Sequence, residues 1–171
     1  PSSHQGRLLL VLPQMIFVHS RLCFLVPQIS QMTQIFVHSR GKVATHKAQI
    51  LARFTDQATV VAPEITDELK ALPFQTKEKA FEPSDLDGVQ LLFVCTGDHE
   101  LNHHIKQLAA QRHILTSVCD DPAQCDFISP AIYRNDNLTI AVGSDSRDVK
   151  RSIRVRNRIK ELIENDTLQF D

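Results

Sequence analysis

The stretch Val89-Gln90-Leu91-Leu92-Phe93-Val94-Cys95 constrains the fold more than any other part of this chain. All but Gln90 are apolar, so an extended segment with this sequence can offer neither face to water. Such a strand belongs at the centre of a sheet that helices cover on both sides. The flanking segments supply those helices. Val43, Ala44, Ala48, Leu51 and Phe54 share one helical face, and Asp98 can cap a helix whose inward positions are Leu101, Ile105, Leu108 and Ala109. Residues 57–61 and 113–119 read as further strands, 64–72 as a short helix with Ile65, Leu69 and Leu72 on one side, and 74–81 as holding another short strand. Residues 83–88 read as a turn or brief helical connection. Strands alternating with helices in this way predict an α/β fold, a Rossmann-like doubly wound parallel sheet with right-handed crossovers.

After Asp120 the rhythm changes to a Pro-containing loop, a strand over 138–142 and a long helix from about 146 to 164. Val149, Ile153, Arg156, Ile159 and Ile163 lie near one line of that helix, and a narrow apolar stripe on a terminal appendage suggests a dimer contact. The chain therefore divides into residues 1–129, a nucleotide-binding domain, and 130–171, a small α/β dimerisation segment ending in a basic helix. Its 171 residues suit one domain with such an appendage. Residues 1–40 are irregular. Ile16-Phe17-Val18-His19-Ser20-Arg21 returns unchanged as Ile35-Phe36-Val37-His38-Ser39-Arg40, too few copies for a solenoid, and reads as a local duplication or a fault in the sequence. Leu22-Cys23-Phe24-Leu25-Val26 reads as the first strand, with residues 27–40 inserted after it.

Composition excludes several classes. A formal net charge of -1 argues against a surface dedicated to nucleic acid or to an anionic membrane. The apolar stretch 7–26 is broken by Pro13, Gln14, His19, Ser20 and Arg21, short of the ~20 apolar residues a helical span requires, so no membrane insertion and a cytoplasmic location are expected. Cys23, Cys95, Cys119 and Cys125 show no CxxC spacing and read as reduced thiols.

In a doubly wound sheet, phosphate meets a glycine turn and a helix N-terminus. The candidate is Gly41-Lys42-Val43-Ala44, with Glu64, about twenty residues on, where an adenosine ribose is held. On the residues alone, Gly41 equally suits an ordinary loop, Glu64 a helix cap, and Asp120 with Asp121 before Pro122 a turn. His99 and His103 have i, i+4 spacing, but His103, His104 and His113 complete no metal motif, and a solvated helix face is the better reading. Arg147, Lys150, Arg151, Arg154, Arg156, Arg158 and Lys160 make the last helix basic, which suits a solvated face, a weak nucleic-acid patch or an anionic ligand.

Gly41-Lys42-Val43-Ala44 through Lys47-Ala48, then Val60-Val61-Ala62-Pro63-Glu64, Phe81-Glu82-Pro83-Ser84-Asp85-Leu86-Asp87-Gly88, Cys95-Thr96-Gly97-Asp98 with Leu101-Asn102, Asp120-Asp121-Pro122, Cys125-Asp126-Phe127-Ile128 and Pro130-Ala131-Ile132 together resemble the siroheme-synthase dehydrogenase family, in order, from Gly41 almost to the C-terminus. The resemblance implies an NAD-dependent oxidoreductase that converts precorrin-2 to sirohydrochlorin in siroheme or cobalamin biosynthesis. It implies NAD against Gly41, Lys42 and Val43, near Pro63 and Glu64, and beside Thr96 and Gly97. Asp120 falls on the family's proposed catalytic aspartate, Ser144 on its substrate-loop serine, and Arg147 and Arg151 become candidates for the acetate and propionate groups of the tetrapyrrole. A homodimer is implied, and many relatives also act as ferrochelatases, inserting Fe2+ or Co2+. The family's further C-terminal helical region is expected to be short or missing. Ser39 and Arg40 stand where the family has its first two glycines, and Asp145-Ser146 where it has Gly-Gly. A chelatase without the redox step and a non-catalytic tetrapyrrole-binding dimer therefore remain alternatives.

Overall fold

A computed structural model of the chain describes residues 34–38, 42–135, 138–144 and 146–168. A five-stranded sheet has the order β3-β2-β1-β4-β5, with β1 (Gln34–His38), β2 (Ala58–Ala62), β3 (Gln75–Glu78), β4 (Leu91–Cys95) and β5 (Leu115–Val118). Every pairing in it is parallel. Helices α1 (Lys42–Leu51), α2 (Asp67–Lys70) and α3 (His99–Gln111) make the connections.

Strand β4 is buried at every position, as its apolar sequence requires. Leu91, Phe93 and Cys95 join Ala44, Ala48 and Leu51 of α1 on one face of the sheet. Leu92 and Val94 pack with Ile105 and Ala109 of α3 on the other. Each fully buried aliphatic side chain of this size contributes about 1.5–3 kcal/mol, so the two layers hold the sheet from both sides. At the edge, β3 is short, exposed at all four positions and charged at Lys77 and Glu78, features that discourage pairing with another chain.

The structure corrects several expectations. Among the described residues the first strand is Gln34–His38, most of it in the second copy of the repeated hexapeptide, and residues 22–26 lie outside the described residues. Both copies carry the β-prone Ile-Phe-Val, but only the second leaves the short connection to α1 that a strand-to-helix turn needs, typically about 2–6 residues. The stretch read as an insertion thus provides a central strand. Residues 64–72 form only one helical turn, Asp67–Lys70, because the backbone is still extended at Thr66, with ψ 155°.

Cys95 and Cys119 are joined as a disulfide, correcting the reading of these two as reduced thiols. The register that sets Val94 against Val118 brings the next residues of β4 and β5 together, with Cα atoms 5.1 Å apart. Sequence spacing gives no hint of that pairing. Cys125 is a free thiol.

Beyond β5, Ala131–Asn135 forms β6, absent from the sequence reading, and pairs antiparallel with β7 (Leu138–Val142). Helix α4 (Val149–Glu164) packs on both. Its inward side carries buried Ser152 and half-buried Arg156, Ile159 and Ile163, and Arg156 Nη1 donates to the Ile132 carbonyl at 2.8 Å. The expected stripe is therefore rotated at its start, leaving Val149 and Ile153 exposed by 55% and 40%. Arg134 ties the hairpin to the end of α1 by donating to the Arg53 carbonyl at 2.9 Å while its guanidinium covers the Phe54 ring.

Candidate dinucleotide and substrate site

Because the five strands are parallel, their carboxyl ends share one edge. Strands β1 and β4 are neighbours, although β2 and β3 come between them in the chain. The helices that follow them, α1 and α3, cover opposite faces of the sheet, so the strand order reverses here, and at such a switch point doubly wound sheets take ligands in a crevice.

Helix α1 begins at this edge. Its first backbone N–H groups have no acceptor within the helix and bring partial positive charge to the crevice. Lys42 and Val43 form that first turn, and Val43 is 59% exposed although apolar; Gly41 lies outside the described residues. Pro63 and Glu64 follow β2 and are exposed, Thr96 and Gly97 follow β4, and Asp120 lies just past β5. The expected cofactor residues that are described, and Asp120, thus stand at one edge. An exposed apolar residue at a helix N-terminus, with an acid after the second strand, fits a dinucleotide.

Asn102, 1% exposed on α3, organises the substrate side. Its side-chain oxygen accepts from the Thr96 backbone N–H at 3.2 Å and faces the Thr96 hydroxyl. Its nitrogen donates to the Thr96 carbonyl at 3.2 Å and to the two Asp120 carboxylate oxygens at 3.0 and 3.2 Å. The same carboxylate meets His99 Nδ1 at 2.9 Å. Asp98 holds the helix start by accepting from the Glu100 and Leu101 backbone N–H groups.

Asp121 is engaged elsewhere. Its carboxylate accepts from Gln124 Nε2 at 2.7 Å and from the Ala123 N–H at 3.0 Å. The Gln124 amide above all, with backbone N–H groups and the nearby His99, holds it below the usual carboxylate range against a smaller opposing effect of burial. His103 Nδ1 meets Gln124 Oε1 at 2.8 Å and its Nε2 meets Gln107. Among the described residues no three His, Cys, Asp or Glu side chains converge on a metal position.

On the opposite face of the sheet from α3, Lys47 of α1 lies 5.9 Å from the Phe93 ring centroid. Burial lowers its pKa, opposed by the Cys125 thiol. Phe127 stacks edge-on against Phe93 and fixes the segment after β5.

The interactions of the expected substrate residues are local to the turn before α4. Ser144 Oγ accepts from the Asp148 N–H at 3.1 Å, its carbonyl from the Arg147 N–H at 2.9 Å, and Arg151 N–H donates to Asp148 at 2.7 Å. Both arginine side chains are exposed. The sequence reading missed the parts played by Asn102 and His99. For Asn102 a signal exists, since it shares the inward face of α3 with Ile105 and Ala109, and a polar residue there requires buried partners. His99 became meaningful only once β5 stood beside α3.

A switch-point crevice, a helix N-terminus and an acid after the second strand define a dinucleotide-binding α/β domain. The family model described as "Putative NAD(P)-binding" matches residues 29–131, and the chain belongs to that family. It is 33% identical over 127 residues to the siroheme synthase of Photorhabdus laumondii, covering 72% of this chain and 27% of that protein. With the siroheme synthase of Zymomonas mobilis it shares 36% identity over 114 residues, 64% of this chain and 24% of the relative. The chain thus spans about a quarter of the length of the curated relatives it matches. A solved structure, "SirC, precorrin-2 dehydrogenase", superposes with TM-score 0.61 at 22% identity over 92% of this chain and 71% of that one, a likeness of fold.

Proposed function

We propose that the chain oxidises precorrin-2 to sirohydrochlorin with NAD, using Asp120 as the base. The observation that carries this reading is the Asp120 carboxylate at the carboxyl end of β5, fixed by Asn102 to Thr96 at the mouth of the switch-point crevice. The names of the siroheme synthases and of the precorrin-2 dehydrogenase that the chain resembles support it. NAD, when bound, supplies the hydride acceptor. The first turn of α1 would hold its pyrophosphate and Glu64 its ribose, where a carboxylate suits a 2′-hydroxyl and repels a 2′-phosphate, favouring NAD over NADP. Thr96 and Gly97 would border the nicotinamide. Asp120, oriented by Asn102, would take the proton that accompanies hydride loss.

Ser144, Arg147 and Arg151 are proposed contacts for the carboxylates of the tetrapyrrole. Residues 1–129 are then the nucleotide-binding unit and 130–171 a homodimerisation segment, with Val149 and Ile153 exposed one turn apart on α4 as its apolar contact. Cytoplasmic work accords with the fact that no helix among the described residues is long and apolar enough to cross a membrane. Insertion of Fe2+ or Co2+ into the product is a second proposed step. A chelatase without the redox step is the rival reading, favoured by Ser39 and Arg40 where the family has glycines.

Calorimetry with NAD and an absorbance assay of precorrin-2 oxidation test the proposal. Micromolar NAD binding with NAD-dependent turnover is expected. Absence of both would overturn the dehydrogenase, and NAD-independent metal insertion would put the chelatase in its place.

A further inference from the structure

The Asp120 carboxylate has a second partner besides Asn102, and the two differ in what they do for a proton. The Asn102 amide nitrogen only donates, to both oxygens, so it offers no place for a proton to go. His99 Nδ1 sits 2.9 Å from Oδ2, on a side chain 80% exposed, while that of Asp120 is 33% exposed. The imidazole therefore joins a partly exposed carboxylate to bulk water.

We infer that His99 is the proton-relay partner of Asp120, a positioning residue that clears the carboxylate after each turnover; this rests on the dehydrogenase reading above. In the oxidation one C–H bond of precorrin-2 breaks with its electron pair leaving as hydride to the oxidised nicotinamide. A further N–H or C–H bond breaks with its pair retained in the conjugated product, and that proton passes to an Asp120 oxygen. His99, with its single ring proton on Nε2, takes it from Oδ2 on Nδ1; the imidazolium releases the Nε2 proton to water, and exchange of the remaining ring proton from Nδ1 to Nε2 through water at this exposed side chain restores the accepting form. The sum is two hydrogens lost by the substrate, one reduced nicotinamide and one proton in solution.

The neighbouring groups do not serve this purpose. Asp121 accepts from Gln124 and the Ala123 N–H, and His103 is held between Gln124 and Gln107. Among the described residues, the charged or titratable groups around His99 are Asp120 and Asp121 beyond β5, and Asp98, Glu100 and His103 on or beside its own helix. Because His99 is exposed, its replacement leaves the packing of α3 intact.

The test uses the full chain with NAD and precorrin-2. His99→Ala is expected to lower kcat by about tenfold or more, within the range of positioned proton transfer. Free imidazole at fixed pH should restore much of that loss in His99→Ala and leave His99→Ala/Asp120→Asn unchanged. In the protein without substrate or cofactor, the His99 Nδ1 resonance should move on Asp120→Asn while the His103 resonances stay in place. Wild-type turnover that is unaffected by His99→Ala, or a loss that imidazole does not rescue, would overturn the relay alone. Absence of NAD-dependent turnover in the wild type would overturn the dehydrogenase reading and the relay with it.

Discussion

Asn102 and Asp120, 18 residues apart in sequence, are joined by two hydrogen bonds from one amide nitrogen to both carboxylate oxygens. The helix on one face of the sheet is thereby tied to the carboxyl end of the edge strand. That pairing sets where the acid points.

Asp120→Asn is expected to lower kcat for precorrin-2 oxidation by at least about 100-fold, because the neutral amide cannot accept the proton. KM should stay within about threefold if the side chain does not bind ground-state substrate. Steady-state kinetics on the two proteins measures both, and unchanged kcat would remove Asp120 from the chemistry.

Asn102→Ala strips the buried Thr96 backbone N–H and hydroxyl of the side chain they face. Leaving buried polar groups without partners costs about 1–3 kcal/mol, so urea unfolding should show a loss of about 2–3 kcal/mol. A loss below about 0.5 kcal/mol would mean that water fills the place of the amide.

Asp85 is 6% exposed and meets Lys77 at 3.3 Å and Lys79 at 2.8 Å, with the Glu82 N–H at 3.0 Å. Burial pushes its carboxyl up, but Lys79, the Glu82 N–H and Lys77 together pull it below its ordinary value. A carboxylate depressed in this way stabilises the fold above its unfolded pKa, about 3.9, and that contribution disappears as pH falls through the folded value. Asp85→Asn should therefore cost about 1–2 kcal/mol at pH 7, less than a fully buried pair because the lysines are partly exposed. Chemical unfolding at pH 7 and near pH 2 should show the gap between variant and wild type narrowing in acid.

Lys47 presents the opposite case, with burial depressing the pKa of a cation. Below its folded pKa the charged ammonium is costly to keep; between that value and its unfolded pKa, about 10.4, the folded protein sheds the proton first and stability rises with pH. Lys47→Met should raise stability at pH 7 by about 1 kcal/mol, with the advantage shrinking on alkalisation. Thermal unfolding across that range checks the sign; a destabilised variant would show that the cation over the Phe93 ring outweighs its desolvation.

The doubly wound sheet was legible in the sequence because burial on two faces leaves an unmistakable mark. No segment but the centre of a covered sheet tolerates Leu91-Leu92-Phe93-Val94, and the helix faces of α1 and α3 repeat at the period that covering requires. Asp98 as a helix cap was legible for a similarly local reason, since a short acceptor side chain ahead of an amphipathic run has few other uses.

Whatever depended on distance along the chain was not legible. Two identical Ile-Phe-Val runs compete for one strand position, and the length of the connection to α1 decides between them. Cys95 meets Cys119, and Asp120 meets Asn102 and His99, only because β5 pairs with β4 in one register beside α3. The basic helix was visible as a run of charge, but packing against the hairpin decided that Arg156 turns inward while Val149 and Ile153 remain exposed. Sequence by itself determined the covered central strand, the helices on its two faces and so the class of sheet, because periodic burial is a local property, but it misplaced β1 and missed β6. The composition of the site was decided by tertiary structure, because hydrogen bonds between side chains from different elements exist only once strand order and register have been chosen.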